Sequence, residues 1–226
     1  MLKMSEKFVT LSDLQRDPEI TSYLRAANAV MKAIGYTEHG ERHAGLVAQI
    51  ARDILTRLDF PPREAELAAI AGYLHDAGNL IHREFHQLTG ALLARDILAR
   101  VGMPPDQVAV IMGAIGNHEE AGGAAVNAVA AAVIIADKAD VHFSRVQNED
   151  KNTLDIHDRV NLAARRASVR VDAAEKMIAL ELEIDAAISS SADYFEIFTS
   201  RMLMCRRAAQ LLGCQFALII NGQRVL

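Results

Sequence analysis

Up to about residue 166, apolar positions recur mostly at spacings of three and four, the period of helices with one buried face. The run "PEITSYLRAANAVMKAIG" predicts a first helix, with Gly35 as its stop. A second helix is predicted from near Thr37 to Leu58, with Val47, Ile50, Ile54 and Leu58 along one side. "DFPPREAEL" breaks the chain and restarts it, because proline suits the first turn of a helix. A helix over residues 63–76 then ends in "HDAGN". The next covers roughly residues 84–101 and stops at Gly102, and "MPPDQVAVIMGAIGNH" carries another to about His118. "EEAGGAA" reads as a loop, followed by a helix through Val133 to Val141.

The pattern changes after residue 167. "SVRVD" alternates, and "KMIALELEID" alternates strictly, with Ile178, Leu180, Leu182 and Ile184 on one face and Glu181, Glu183 and Asp185 on the other. These are half-buried strands, and "DAAE" turns between them. "SSSADYFEIFTSRMLMCRRAAQLLG" predicts a capped helix with Gly213 just past its end, and "QFALIING" a further strand with an Asn-Gly turn signal. The expected fold is therefore mainly α: a helical bundle over residues 1–146, a connecting helical segment over 147–167, and a small β-β-α-β appendage over 168–226.

A length of 226 residues with 51% hydrophobic residues is enough to bury a sizeable core. The net charge of −5 gives no basic field for duplex nucleic acid. The opening "MLKMSEKFVT" lacks the apolar run of a signal peptide, and no window reaches the length of a membrane span. Cys205 and Cys214, the only cysteines, do not make a disulfide framework. A cytoplasmic protein is the expectation. Unpaired edges of a small sheet further suggest a homodimer.

The histidines fall at revealing places. His43 shares a helical line with Val47 and Ile50, His75-Asp76 ends the third predicted helix, His86 opens the fourth, and His118 ends the fifth. Asp137 interrupts the apolar "VIIADKAD" in the sixth. Several helices can thus aim one polar residue each at a shared centre, as metal sites in bundles do. A carboxylate beside an imidazole in an apolar setting is costly without a partner, and a divalent metal satisfies both. Imidazole and carboxylate donors suit Fe, Mn, Zn, Co or Ni, one or two ions per chain, without choosing among them.

The pattern "H-x31-HD" with a distant "ADK", carried by His43, His75, Asp76 and Asp137, resembles the HD-domain superfamily of metal-dependent phosphohydrolases over roughly residues 37–145. "FHQLTGALLA" and "AIGNHEE" resemble two elements of its two-metal members, which include the HD-GYP cyclic-dinucleotide phosphodiesterases and the symmetrical diadenosine tetraphosphatases. "DYFEIFTSRM" and "GCQFALIING" resemble the tail of a bacterial group of HD-domain proteins. Departures exist: Asn79 stands where HD-GYP proteins carry Lys, Asn117-His118 replaces their doubled His, and the GYP loop is absent. The Glu of the single-metal nucleotidases is not supplied by Asn79-Leu80 either, so the tetraphosphatase-like layout fits better.

The resemblance implies an HD-domain bundle that cleaves a phosphate ester or anhydride of a nucleotide or similar small molecule by metal-activated hydroxide. It assigns His43, His75 and Asp137 to one metal, His86 and His118 to a second, and Asp76 to a bridge between them. Lys138 either points at the phosphate or lies on the solvent face; Arg42, and Arg145 two turns beyond Asp137 on the expected extension of its helix, are phosphate clamps or surface salt bridges. His39, four residues before His43, is a substrate contact or a plain helix-start residue. Glu119 and Glu120 orient His118 or are solvated, Asp140 and His142 are similarly open, and His82 and His157 receive no role. The alternatives in other classes are a metal-containing nucleotide sensor and a di-iron oxygenase.

Overall fold

The computed structural model describes residues 8–148 and 154–226. The start of the chain, read above for a leader, lies largely outside these residues, as does the stretch 149–153 of the connecting segment. Described helices are α1 (Leu11–Gln15), α2 (Pro18–Ala33), α3 (Glu41–Arg57), α4 (Pro62–Leu74), α5 (His86–Arg100), α6 (Pro105–Gly116), α7 (Ala128–Lys138) and α8 (Ile156–Ala163). There follow β1 (Ala164–Asp172), β2 (Met177–Ile184), α9 (Ser191–Leu211), β3 (Gln215–Ile220) and β4 (Gln223–Arg224). The mainly helical bundle with a small C-terminal sheet is thus the fold the pattern predicts. Its α1 has no counterpart in the pattern, because five residues are too few to show a helical period; Thr10 and Asp13 form its capping box.

α4 and α7 form the middle of the bundle. Nine of the 13 residues of α4 and nine of the 11 of α7 are buried, and many are alanines, which lets neighbouring helices approach closely. Gly72 is where this matters most. A Cβ there would stand 3.1 Å from the backbone of Val47 and Ala48 on α3. The missing methyl brings the last turn of α4, and hence His75, beside the first turns of α3.

The helix ends correct several expectations. α3 begins at Glu41, not Thr37, so His39 precedes the helix and does not share its face with His43. Gly40 caps the helix, its N–H donating to Glu38 Oε1, while the His39 N–H donates to Asn28 Oδ1. α4 stops at Leu74, leaving His75 as its cap and Asp76 at the head of a 3-10 turn over Ala77–Leu80. α7 stops at Lys138, so Arg145 does not lie further along that helix; it sits in a separate 3-10 turn, Phe143–Arg145.

The sheet runs in the order β1-β2-β3-β4, with β2 and β3 parallel and the other pairs antiparallel. Parallel neighbours need a crossover, and α9 supplies it. On β2, Ile178, Leu180, Leu182 and Ile184 are buried and Glu183 exposed, as the alternation predicts. β1 begins earlier than expected, at Ala164, because the exposed Arg165 and Arg166 interrupt the alternation across an irregular register. α9 packs against α7 as well as against β2 and β3. Its buried line is Tyr194, Phe198, Met202 and Cys205, while Leu203 is exposed. One hydrophobic core runs from Val9 through α7 to Ile220.

Candidate metal centre

Five chain segments converge. His43 lies in the first turn of α3, His75 and Asp76 just past α4, His86 at the first position of α5, His118 two residues past α6, and Asp137 in the last turn of α7. The four histidines and Asp76 are buried. Phe85, immediately before His86, has a left-handed φ of 61° while its ring stays exposed. For a bulky residue this is local strain, here adjoining the cluster.

Each histidine is fastened by Nδ1. His43 Nδ1 donates to Asp140 Oδ2 (2.7 Å), His75 Nδ1 to Gly72 O (2.8 Å), His86 Nδ1 to Arg83 O (2.9 Å) and His118 Nδ1 to Ile115 O (2.6 Å). An imidazole that donates through Nδ1 keeps a lone pair on Nε2 when neutral. Those lone pairs meet: Nε2 of His43 is 3.2 Å from Nε2 of His75, and Nε2 of His86 is 3.1 Å from that of His118. Two lone pairs at that distance repel unless a proton or a metal ion lies between them. Donor atoms about 2.1 Å from one ion stand roughly 3.0–3.4 Å apart along octahedral or tetrahedral edges. The donor set therefore fits a divalent metal.

The carboxylates divide between the two histidine pairs. Asp76 Oδ2 lies 3.5 Å from His43 Nε2 and 3.3 Å from His75 Nε2. Its other oxygen, Oδ1, lies 3.2 Å from His86 Nε2 and 3.8 Å from His118 Nε2. Asp137 Oδ1 faces His43 and His75 at 3.4 and 3.6 Å, while its Oδ2 accepts from Lys138 Nζ at 2.7 Å. Asn79 Nδ2 donates to Asp76 Oδ1 (2.9 Å), so the residue that departs from the HD-GYP pattern braces the shared carboxylate. Three overlapping groups can each hold an ion: His43, His75 and Asp76; His75, His118 and Asp137; Asp76, His86 and His118.

The electrostatics call for positive charge at this centre. Burial opposes ionisation of Asp76, yet the surrounding imidazoles hold it well below the usual carboxylate range. Burial likewise opposes Asp137, and Lys138 and the histidines hold it low. His75, although desolvated, is raised to about 10 by Asp76 and Asp137. His118, desolvated and next to His75, is pushed down to about 3.

The cationic residues occupy distinct places. Lys138 is only 3% exposed, paired with Asp137 and, at 3.2 Å, with Glu120; it does not lie on the solvent face. Arg145 is buried, with Nη1 on Asp140 O and Nη2 and Nε on Glu38 O. Arg42 grips Asp140 with both terminal amines and Glu38 with Nε. His39, half-buried, donates to Thr37 O and sets its ring centroid 5.5 Å from that of His43. A cleft of about 330 Å³ is lined by His39, Tyr36, Arg83, Phe198 and Arg201 among others.

Of these contributions the sequence reading leaves Asp140 open and gives Arg83 and Arg201 no place at the centre. Asp140 recurs one turn after Asp137 in "ADKAD", a spacing that hints at a shared role. Arg83, in "HREFH", brings Nη1 to 3.1 Å from His86 Nε2 and Nη2 to 3.3 Å from Glu119. Arg201 reaches Glu120 from α9, far along the chain.

The HD domain family matches residues 40–159. The chain belongs to this family, part of a superfamily of metal-dependent phosphohydrolases, and the match spans every histidine and carboxylate of the cluster. No curated protein matches the chain. Among the described residues, no helix is long and apolar enough to cross a membrane.

Proposed function

We propose that this HD-domain protein is a two-metal phosphohydrolase acting on a nucleotide or a similar small phosphorylated molecule. The observation that carries the reading is the division of Asp76, whose two oxygens each face a different pair of histidines. His43, His75, Asp137 and Asp76 would hold one ion, and His86, His118 and Asp76 would hold the other. When bound, such ions supply charge neutralisation and a water acidified towards neutral pH. The protein's own part is positioning. Nδ1 hydrogen bonds fix each ring and its tautomer. Lys138 engages one oxygen of Asp137 and leaves the other for the ion. Arg42 and Arg145 act through Asp140 on His43. Arg83 and His39 border the cleft where a phosphate enters, and phosphoryl transfer depends chiefly on such placement and positive charge. Exposed Phe85, Leu88 and Leu92 on the α5 side favour a homodimer, and the two free, buried cysteines favour a cytoplasmic setting.

The test is metal content per chain after purification without added metal, followed by phosphate release from a panel of nucleotides and other phosphate compounds with Mn, Fe, Co, Ni or Zn. About two equivalents with phosphate release is the expected result. A chain that takes up no metal under any condition overturns the reading. Two equivalents with no turnover transfers it to the sensor class, and iron with oxygen uptake to the oxygenase class.

A further inference from the structure

The cleft beside the metal centre is lined by several segments, among them the α8 side with Asp155 and Asp158 and two further walls. One wall, with His39 and Arg83, comes from within or just before the family-matched stretch. The other comes from α9, beyond that stretch, and presents Phe198 and Arg201. Phe198 is buried and packs its face 4.7 Å below the Arg201 guanidinium. The guanidinium rests on a platform in the cleft while its side chain keeps 28% exposure.

Its partner is shared. Arg201 Nε lies 3.1 Å from Glu120 Oε1, and Lys138 Nζ lies 3.2 Å from the same oxygen. Lys138 is buried and pairs with Glu120 in addition to its own bond to Asp137, so Glu120 has a second cation beside it. Arginine carries five N–H donors in a planar fork, and one nitrogen serves Glu120 here. Arg145 and Arg42, by contrast, engage all three guanidinium nitrogens with carbonyls or carboxylates. A cleft-lining guanidinium on an aromatic face, resting on a carboxylate that has a second cation, is set to exchange that carboxylate for a phosphate.

We propose that Arg201 is a substrate-binding residue that takes hold of a phosphate group of the substrate, so that the C-terminal α9 completes the catalytic cleft. This rests on the phosphohydrolase reading for the identity of the ligand, and the experiment separates the two. The metal-loaded full-length protein and its Arg201→Gln and Arg201→Lys variants are titrated with inorganic phosphate by calorimetry, with metal content measured on the same samples. The expected result is an affinity about tenfold or more weaker in Arg201→Gln, a smaller loss in Arg201→Lys, and metal content unchanged in both. With a turned-over substrate, KM rises by a similar factor while kcat moves little. Unchanged phosphate affinity overturns the proposal. So does a fall in metal content or in kcat alone, which makes Arg201 a structural prop for Lys138 and Asp137. If the wild-type protein binds phosphate through Arg201 but hydrolyses no phosphate compound, the hydrolase reading fails and this assignment stands.

Discussion

His43 Nδ1 donates to Asp140 Oδ2 across 2.7 Å, and Asp140 is in turn held by both terminal amines of Arg42 and approached to 3.5 Å by Arg145 Nε. A carboxylate behind a ligating histidine fixes the ring and raises its basicity, and its loss costs about 10- to 100-fold in metal affinity. Asp140→Asn keeps the side chain's shape but weakens that hold. The expected outcome is metal affinity lower by about this factor, with activity recovering at high metal concentration. Competition titration against a chelating indicator checks it. Wild-type affinity in the variant removes Asp140 from the site.

Two substitutions separate one shared metal site from two. Asp76 serves both histidine pairs, whereas His118 lies 3.8 Å from Asp76 Oδ1 and 3.1 Å from His86 Nε2. Asp76→Ala is expected to empty the centre and abolish turnover. His118→Ala is expected to lose about one metal equivalent and keep the other. Elemental content of the purified variants reads both directly. Equal stoichiometry in His118→Ala and wild type refutes the second position.

Much of this was legible in the residues. Long amphipathic or alanine-rich helices carry a clear period, and strict alternation marked β2. The cluster was visible because His43, His75, Asp76, His86, His118 and Asp137 stand at helix ends or on an apolar line. What was hidden depends on where helices stop and how they pack. Arg145 was placed on a continuing α7, but the chain turns after Lys138 and spends the guanidinium on two backbone carbonyls. His39 was placed on a helix that begins only at Glu41. Lys138 offered no sequence signal of burial, since a lysine in the last helical turn is ordinarily solvated. Arg201 was invisible as a site residue because α9 meets α7 only in the folded chain.

Removing the metals should weaken the fold without abolishing it. The candidate ligands lie in or flank α3, α4, α5, α6 and α7, so bound ions would tie five helices together, yet the apolar packing of α3, α4 and α7 does not depend on them. A ligand present at about 100 times its dissociation constant adds about 2.7 kcal/mol to stability. For a chain of this size that amounts to roughly 5–10 °C in Tm. Chelation should lower Tm by about this much, leave the helical circular dichroism at room temperature intact, and reverse on adding metal back. A chelated protein with no helical signal would mean that the ions nucleate the fold itself.

Gly78 offers a route to the second metal position that substitutes no candidate ligand. A Cβ there would sit 2.0 Å from His86 O and 2.5 Å from Gly90 N, because the 3-10 turn after Asp76 packs directly on the first turns of α5. Gly78→Ala must push those segments apart, and with them Asp76 and His86, now 3.2 Å apart through Oδ1 and Nε2. Overpacking of this kind costs about 1–3 kcal/mol. The expected outcome is a lower Tm together with weaker binding of one metal equivalent, while the position held by His43, His75 and Asp137 keeps its ion. Gly45→Ala on α3 is the control, since a methyl there meets no atom within 4 Å and a helical glycine gains about 0.5–1 kcal/mol on replacement. Thermal melts and metal titrations of the two variants decide the matter. Equal metal binding in both would show that the His86 position does not depend on the close seat of α5 against the turn that follows Asp76.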